Sequence, residues 1–250
     1  RSCRERKVFI IAGTKLGLLN IVLATAIHLY MGELSTSKLI WDWAFAFMGG
    51  VVAGILTAGI VPLIEIAFDY TTDITLLELA QLDRPIMQRL MIEAPGTYHH
   101  SFIVGSMVEA AASEIGANPL LAKVGAYYHD IGKMLNPKFF IENQFNGENP
   151  HDVLEPRESA RVILNHVRHG MRIGQESGLP KVVVDLALQH HGTQLMEYFY
   201  NIAAKTYPKS TIQEEDFRYP GPKPQSVEAA ILMVCDAVEA ASRSLEDPTR

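Results

Sequence analysis

Residues 43–64 contain no charged side chain over 22 positions and are bounded by Asp42 and Glu65. As a helix, such a run is long enough to cross a hydrocarbon layer of ~30 Å. Its apolar character on every face favours lipid over the single buried stripe of a surface helix. Gly49, Gly50, Gly54 and Gly59 within it would let a neighbouring helix pack closely. The alternative is a buried helix of a soluble core. An earlier run, residues 8–31, is mostly apolar but carries Lys15, Asn20 and His28. Lys15 lies near enough to its basic end to snorkel. Two transmembrane helices are therefore expected, at about 8–31 and 43–68, with residues 1–68 forming the last part of a membrane region.

Arg1, Arg4, Arg6 and Lys7 stand at the first helix's N-terminal end, whereas the connecting loop has only Lys38. By the positive-inside rule the N-terminal flank is cytoplasmic, the loop is outside, and everything after Phe68 returns to the cytoplasm. A second and longer apolar run disfavours a cleaved signal peptide. The chain opens on Arg1 and stops at Arg250 just after a helical-looking run, so it reads as a piece of something longer.

The remainder reads as all-α. Thr71, Thr72 and Asp73 are caps for a connector helix within 69–82. Further helices are expected over 85–92, 98–115, 120–132, 158–167, 181–191, 196–207 and 227–245. Breaks fall at Ala94-Pro95-Gly96, at Gly116 with Asn118-Pro119, and across a loop over 136–156 that is rich in Asn, Pro and Gly. Residues 217–225 cannot be helical, because Pro220, Pro222 and Pro224 remove donors and fix φ. No stretch alternates with period 2 for long enough to make a sheet. Residues 83–250 are enough for a core of their own. Cys3 and Cys235 lie far apart without metal or redox spacing, which fits a reducing compartment. A net charge of −6 argues against a general DNA or RNA binder.

Chemistry concentrates in Tyr128-His129-Asp130-Ile131-Gly132-Lys133. Adjacent residues lie about 100° apart around a helix, so both His129 and Asp130 can lean into one cavity. Gly132 lets a substrate or another helix approach the backbone. Around this motif stand His100, His166, His190, His191 and Asp236. Five histidines and two aspartates exceed what one zinc centre uses and suit two metals sharing a carboxylate. Each histidine taken alone reads as a hydrogen-bonded core residue. Several without a shared partner would each carry a desolvation cost.

The pattern His…His-Asp…His…His-His…Asp resembles the two-metal members of the HD-domain phosphohydrolase superfamily. The runs Gly96-Thr97-Tyr98-His99-His100-Ser101, Ile115-Gly116-Ala117-Asn118-Pro119-Leu120, Glu142-Asn143-Gln144, Asn149-Pro150-His151 and Phe217-Arg218-Tyr219-Pro220-Gly221-Pro222-Lys223-Pro224-Gln225 extend the likeness. Together they resemble the seven-transmembrane HD family of PgpH-type cyclic di-AMP phosphodiesterases, over about residues 70–245. The resemblance implies an HD-domain helical bundle over 83–250 behind the two membrane helices. It implies that His100, His129 and Asp236 hold one metal, that His166, His190 and His191 hold the second, and that Asp130 bridges them. The two ions, iron or manganese, would activate a hydroxide that opens cyclic di-AMP to linear 5′-pApA.

Lys133 is the candidate phosphate contact beside Asp130, and Arg218 on its stiff loop is a second. Each also has a structural reading, Lys133 as a solvated residue after a helix end and Arg218 as part of a turn. His151 and His169 read as surface residues, and His169 falls where the family pattern has an acidic one. Cyclic di-GMP enzymes of the superfamily carry Gly-Tyr-Pro after the His-His pair, where this chain has Gly192-Thr193-Gln194-Leu195-Met196. Two other readings stay open: a nucleotide sensor that has lost hydrolysis, and an HD phosphohydrolase of another nucleotide. The small-residue membrane helices leave a homo-oligomer open as well.

Overall fold

A computed structural model describes residues 7–32, 35–68, 70–144 and 149–243. Arg1, Cys3, Arg4, Arg6 and Leu245, which figure in the expectations above, lie outside the described residues. The chain divides into two compact units, residues 1–77 and 78–250. Among the described residues there is no strand, and one isolated antiparallel bridge joins Leu195 to Arg218. The all-α expectation is met.

The first unit is an antiparallel pair, α1 (Lys7–Met31) and α2 (Thr36–Phe68), each long and apolar enough to cross a membrane. The second helix begins seven residues before the uncharged run, because Asp42 is accommodated by His28 of α1 at 2.7 Å. Glycine sets the distance between the helices. A Cβ on Gly13 would lie 2.7 Å from the Gly50 carbonyl oxygen, and one on Gly54 would lie 2.6 Å from that of Phe9. Gly49 and Gly59, expected at this seam, face open space instead. Gly13 and Gly17 of α1 supply the partner surface. The Trp43 indole N–H donates to the Thr25 hydroxyl at 2.8 Å, fixing the register.

Gly50→Val would force the pair apart at an overpacking cost of about 1–3 kcal/mol. In a background with both native cysteines replaced, disulfide trapping between T25C and W43C should be efficient in the parent and fall sharply with G50V. Equal trapping in both would show that these glycines do not set the seam.

The second unit is built from α3 (Asp73–Leu79), which straddles the unit boundary, and then α4 (Pro85–Glu93), α5 (Pro95–Glu114), α6 (Pro119–Tyr128), α7 (Pro156–Glu176), α8 (Lys181–Gln189), α9 (Glu197–Thr206) and α10 (Val227–Arg243). Its main core joins Val104, Val108 and Ala112 of α5, Ala122 and Ala126 of α6, Leu186 of α8, and Ala229, Leu232 and Cys235 of α10. The alanines keep these helices close, so that residues from four of them can meet at one point. A second cluster packs Ala160 of α7 on Phe199, Ala203 and Phe217.

Several boundaries differ from the sequence reading. Pro95 starts α5 rather than only ending α4, since proline at the first helical position lacks a donor that would be unsatisfied there anyway. Asn118 caps α6 by accepting from the Leu120 and Leu121 amides. That helix stops at Tyr128, and a 3-10 turn follows over Ile131–Leu135. His129 and Asp130 therefore stand at a helix end, not within a helix. The expected loop over 136–156 contains three short 3-10 turns, Pro137–Phe139, Ile141–Asn143 and Pro150–Val153. The helix expected to stop at Val167 runs on to Glu176, which puts His166 in the middle of α7. The glycine that would end it, Gly170, is buried where the backbone of the Ile131–Leu135 turn comes close.

Candidate metal centre

Five helices deliver the seven candidate ligands. His100 comes from the second turn of α5, His129 and Asp130 from the end of α6, and His166 from the middle of α7. His190 and His191 follow α8 directly, and Asp236 sits mid-way along α10. His100, His129, Asp130, His166, His190 and Asp236 are buried, and His191 is half-buried.

Three imidazoles are oriented in the same way. Nδ1 of His129 donates to the Ala126 carbonyl at 2.7 Å, that of His166 to Ile163 at 2.6 Å, and that of His190 to Ala187 at 2.6 Å. A carbonyl can only accept, so Nδ1 carries a hydrogen and Nε2 turns inward, the atom left to bind an ion once any proton on it is lost. This is the tautomer a metal requires.

The inward nitrogens surround Asp130. Its Oδ1 lies 3.3 Å from His166 Nε2 and 3.6 Å from His190 Nε2. Its Oδ2 lies 3.2 Å from His129 Nε2 and 3.6 Å from His100 Nε2. Asp236 Oδ1 stands 3.0 Å from His100 Nε2, and its Oδ2 stands 3.7 Å from His191 Nδ1. Two donor groups result, His166 with His190 and His191, and His100 with His129, Asp130 and Asp236. Within each, one ligand atom per residue lies within 4.8 Å of the others. Asp130 faces both groups, one oxygen toward each. His129 Nε2 and both Asp130 oxygens are buried without a partner in hydrogen-bonding geometry. Such atoms are costly unless something binds them. Their imidazole and carboxylate chemistry fits divalent metal ions.

Electrostatics points the same way. Burial alone would raise the Asp130 carboxyl, but His129 and Lys133 hold it well below the usual carboxylate range. Asp236 is likewise held low against burial, by the hydrogen bond from His100 and by the positive charge of His129. Burial lowers His190 and His191, which keeps both neutral. Burial would also lower His129, yet the carboxylates of Asp130 and Asp236 outweigh it and raise this imidazole to about 10.

An ion taking His129 Nε2 as a ligand must expel the proton held there. Near pH 8 metal binding should release about one proton, and apparent affinity should rise by about tenfold per pH unit until the solution pH passes His129's own pKa. Calorimetric titration in buffers of different ionisation enthalpy reads the released proton. A buffer-independent binding enthalpy would mean that His129 is not displaced.

A cavity of about 450 Å³ opens onto the cluster, bordered by Lys133, Phe140, Ile163, Tyr219 and Arg243. Lys133 Nζ lies 2.7 Å from Asp130 Oδ2 and donates to Glu142 Oε1 at 2.9 Å, with its ammonium 4.9 Å from the centre of the Phe140 ring. It is a cation of the cavity wall rather than a solvated residue. Glu142 also accepts from the Thr97 hydroxyl at 3.0 Å, and Asn143 accepts from the amides of Gly96 and Thr97. This ties the 3-10 turn beneath Lys133 to the start of α5. Tyr219 lays its ring on His191, with centroids 4.1 Å apart.

Arg218 does not border this cavity. It pairs with Glu214, donates to the Thr193 carbonyl at 3.0 Å, and lines a neighbouring pocket with Arg157, Arg161 and Arg168. His99 is exposed. His151, expected at the surface, is half-buried: its Nε2 bonds the Phe139 carbonyl at 2.9 Å and its ring packs near Phe139 and Phe199. Glu239 and Arg243, which reasoning from the sequence passed over, stand beside His100. Their spacing from Asp236 along one helix face was the available signal.

Comparison with known proteins identifies the domain that carries this cluster. Residues 97–241 match the HD domain model, and residues 1–72 match the model of a 7TM receptor with intracellular HD hydrolase. The chain is 44% identical over its whole length to the cyclic-di-AMP phosphodiesterase PgpH of Listeria monocytogenes, of which it covers 34%. Over 80% of its length it is 47% identical to the Bacillus subtilis protein of the same name, of which it covers 28%. It thus spans about a third of the length of these relatives. The crystal structure of the L. monocytogenes phosphodiesterase PgpH HD domain in complex with cyclic-di-AMP superposes with a TM-score of 0.65 at 49% identity, covering 68% of this chain and 78% of that one. By the extent of the domain match and this likeness, the chain belongs to the HD domain family.

Proposed function

We propose that this chain is the membrane-anchored hydrolytic part of a phosphodiesterase that opens cyclic di-AMP to linear 5′-pApA. The observation that carries it is Asp130, whose two oxygens face two separate imidazole-rich groups at the floor of one cavity. The names of the relatives and the ligand of the solved HD domain supply the substrate. We assign His100, His129 and Asp236 to one ion, His166, His190 and His191 to the other, and Asp130 to both. The mixture of imidazole and carboxylate favours iron or manganese.

Two such ions supply a nucleophilic water at neutral pH and neutralise charge on the attacked phosphate. The protein does the rest. Carbonyl-tethered imidazoles hold their lone pairs inward, so no reorganisation is needed when substrate arrives. Lys133, kept protonated by Asp130 and Glu142 against the effect of burial, places a fixed positive charge in the wall beside the phosphate. In the overall reaction water adds to phosphorus, the phosphorus–O3′ bond breaks, and the departing oxygen takes up a proton. The ring opens to leave a 5′-phosphate and a 3′-hydroxyl.

We assign residues 1–68 to the membrane region, 69–82 to a connector and 83–250 to the HD domain. The excess of basic residues before α1 supports a cytoplasmic side for that domain by the positive-inside rule. The test is the full chain in detergent, loaded with manganese or iron and given cyclic di-AMP or cyclic di-GMP, with products separated by chromatography. Linear pApA from about two ions per chain is the expected result. Faster cleavage of cyclic di-GMP would overturn the substrate, and about one ion per chain would overturn the paired centre.

A further inference from the structure

His100 is oriented differently from the other three inward-facing imidazoles. Where His129, His166 and His190 rest Nδ1 on a carbonyl of their own helix, His100 rests it on the Glu239 carboxylate at 2.5 Å, a residue of α10. Glu239 is only 5% exposed, and a carboxylate so buried needs a compensating charge. Arg243, one turn further along α10, provides it: Nε and Nη2 lie 2.7 and 2.6 Å from Glu239 Oε1. The Arg243 side chain remains one-third exposed and borders the cavity, and its Nη1 has no acceptor among the described residues.

We infer that Glu239 and Arg243 form a relay with two ends. Glu239 is a positioning residue that fixes His100 for its ion, and Arg243 is a binding residue whose free guanidinium edge takes a phosphate oxygen of the substrate. A guanidinium is suited to both tasks at once, because its five N–H groups fan out in one plane and two edges can be served separately. A carboxylate under an imidazole also makes it a stronger donor than a carbonyl does. An ion on the His100 side would therefore be held more tightly than tethering to a carbonyl would allow. The inference rests on the phosphodiesterase reading, and its test separates the two.

Metal binding to the full chain in detergent is followed by competitive chelator titration with manganese, without substrate, and steady-state rates are measured afterwards. Glu239→Ala should weaken one of the two ions by about 10–100-fold and leave the other at its parental affinity. Glu239→Gln, which keeps an acceptor for Nδ1–H without the charge, should recover part of the loss. Arg243→Lys keeps a cation beside Glu239 and should leave both ion affinities unchanged, while the substrate KM rises by about tenfold or more and kcat changes little. Parental affinity for both ions in Glu239→Ala would overturn the positioning half. A parental KM in Arg243→Lys and in Arg243→Ala would overturn the binding half. If the parent chain itself binds no manganese, or binds it and cleaves no cyclic dinucleotide, the functional reading has failed instead.

Discussion

Asp130→Ala should abolish cyclic dinucleotide hydrolysis, by more than about 10³-fold, and bring bound metal below about one ion per chain. The expectation follows from where the carboxylate sits. Its two oxygens stand between the imidazole groups, at 3.2 and 3.3 Å from His129 and His166, and Asp236 reaches the second group only at 3.7 Å from His191. Two dications in one buried site repel each other strongly, and the charge between them offsets that repulsion. Without it the ions would not be retained, and the lowered water pKa that they would supply is lost with them. The loss should exceed that of any single histidine replacement, because a histidine serves one ion. His151→Ala is the matched control. It lies outside the centre, so it should keep metal content and turnover while costing stability of about 1–3 kcal/mol through the unpaired Phe139 carbonyl. Metal analysis and initial rates on both variants decide the matter. Equal losses of activity would mean the centre is misplaced.

How much of this could be read without coordinates differs from element to element, for physical reasons. The membrane pair was legible because an uncharged run of 22 residues has few other fates. The glycine seam was only half legible. Gly50 and Gly54 lie in the obvious run, but their partners Gly13 and Gly17 sit in the weaker helix, and nothing local marks which glycines face each other. The ligand set was legible as residue types, since histidine and aspartate at wide spacing have few bland explanations together. Their local frames were not. His129 and Asp130 are held at a helix end by a turn that packs on α7, and α7 itself runs past Gly170 because tertiary contact outweighs the modest cost of a mid-helix glycine. Glu239 was missed although it stands three residues from Asp236 on one helix face. The clamp of Thr97, Glu142 and Asn143 joins residues some 45 apart in sequence, a separation that no periodicity reports.

Gly132→Ala should be severely damaging although it removes no ligand. The turn over Ile131–Leu135 is pressed so tightly on α7 that a Cβ at Gly132 would collide with the His166 carbonyl oxygen and crowd the Gly170 amide. Both obstacles are backbone, so no side chain can rotate away. Relief requires α7 to move off the turn, and α7 carries His166. A methyl group thus shifts one ligand relative to Asp130 from outside the coordination shell. A displacement near 1 Å is enough to cost about 10²-fold in rate, and overpacking should cost about 1–3 kcal/mol of stability or more. Gly170→Ala is the informative counterpart. The nearest atoms to a Cβ there are 3.5 to 3.8 Å away, ordinary contact distance. In mid-helix it should be neutral, or stabilising by up to about 1 kcal/mol as helix propensity improves. The two glycines pack near each other yet should behave oppositely, a contrast that thermal unfolding, ion content and turnover can each report. Equal tolerance at both positions would show that the contact between turn and helix does not set the position of His166.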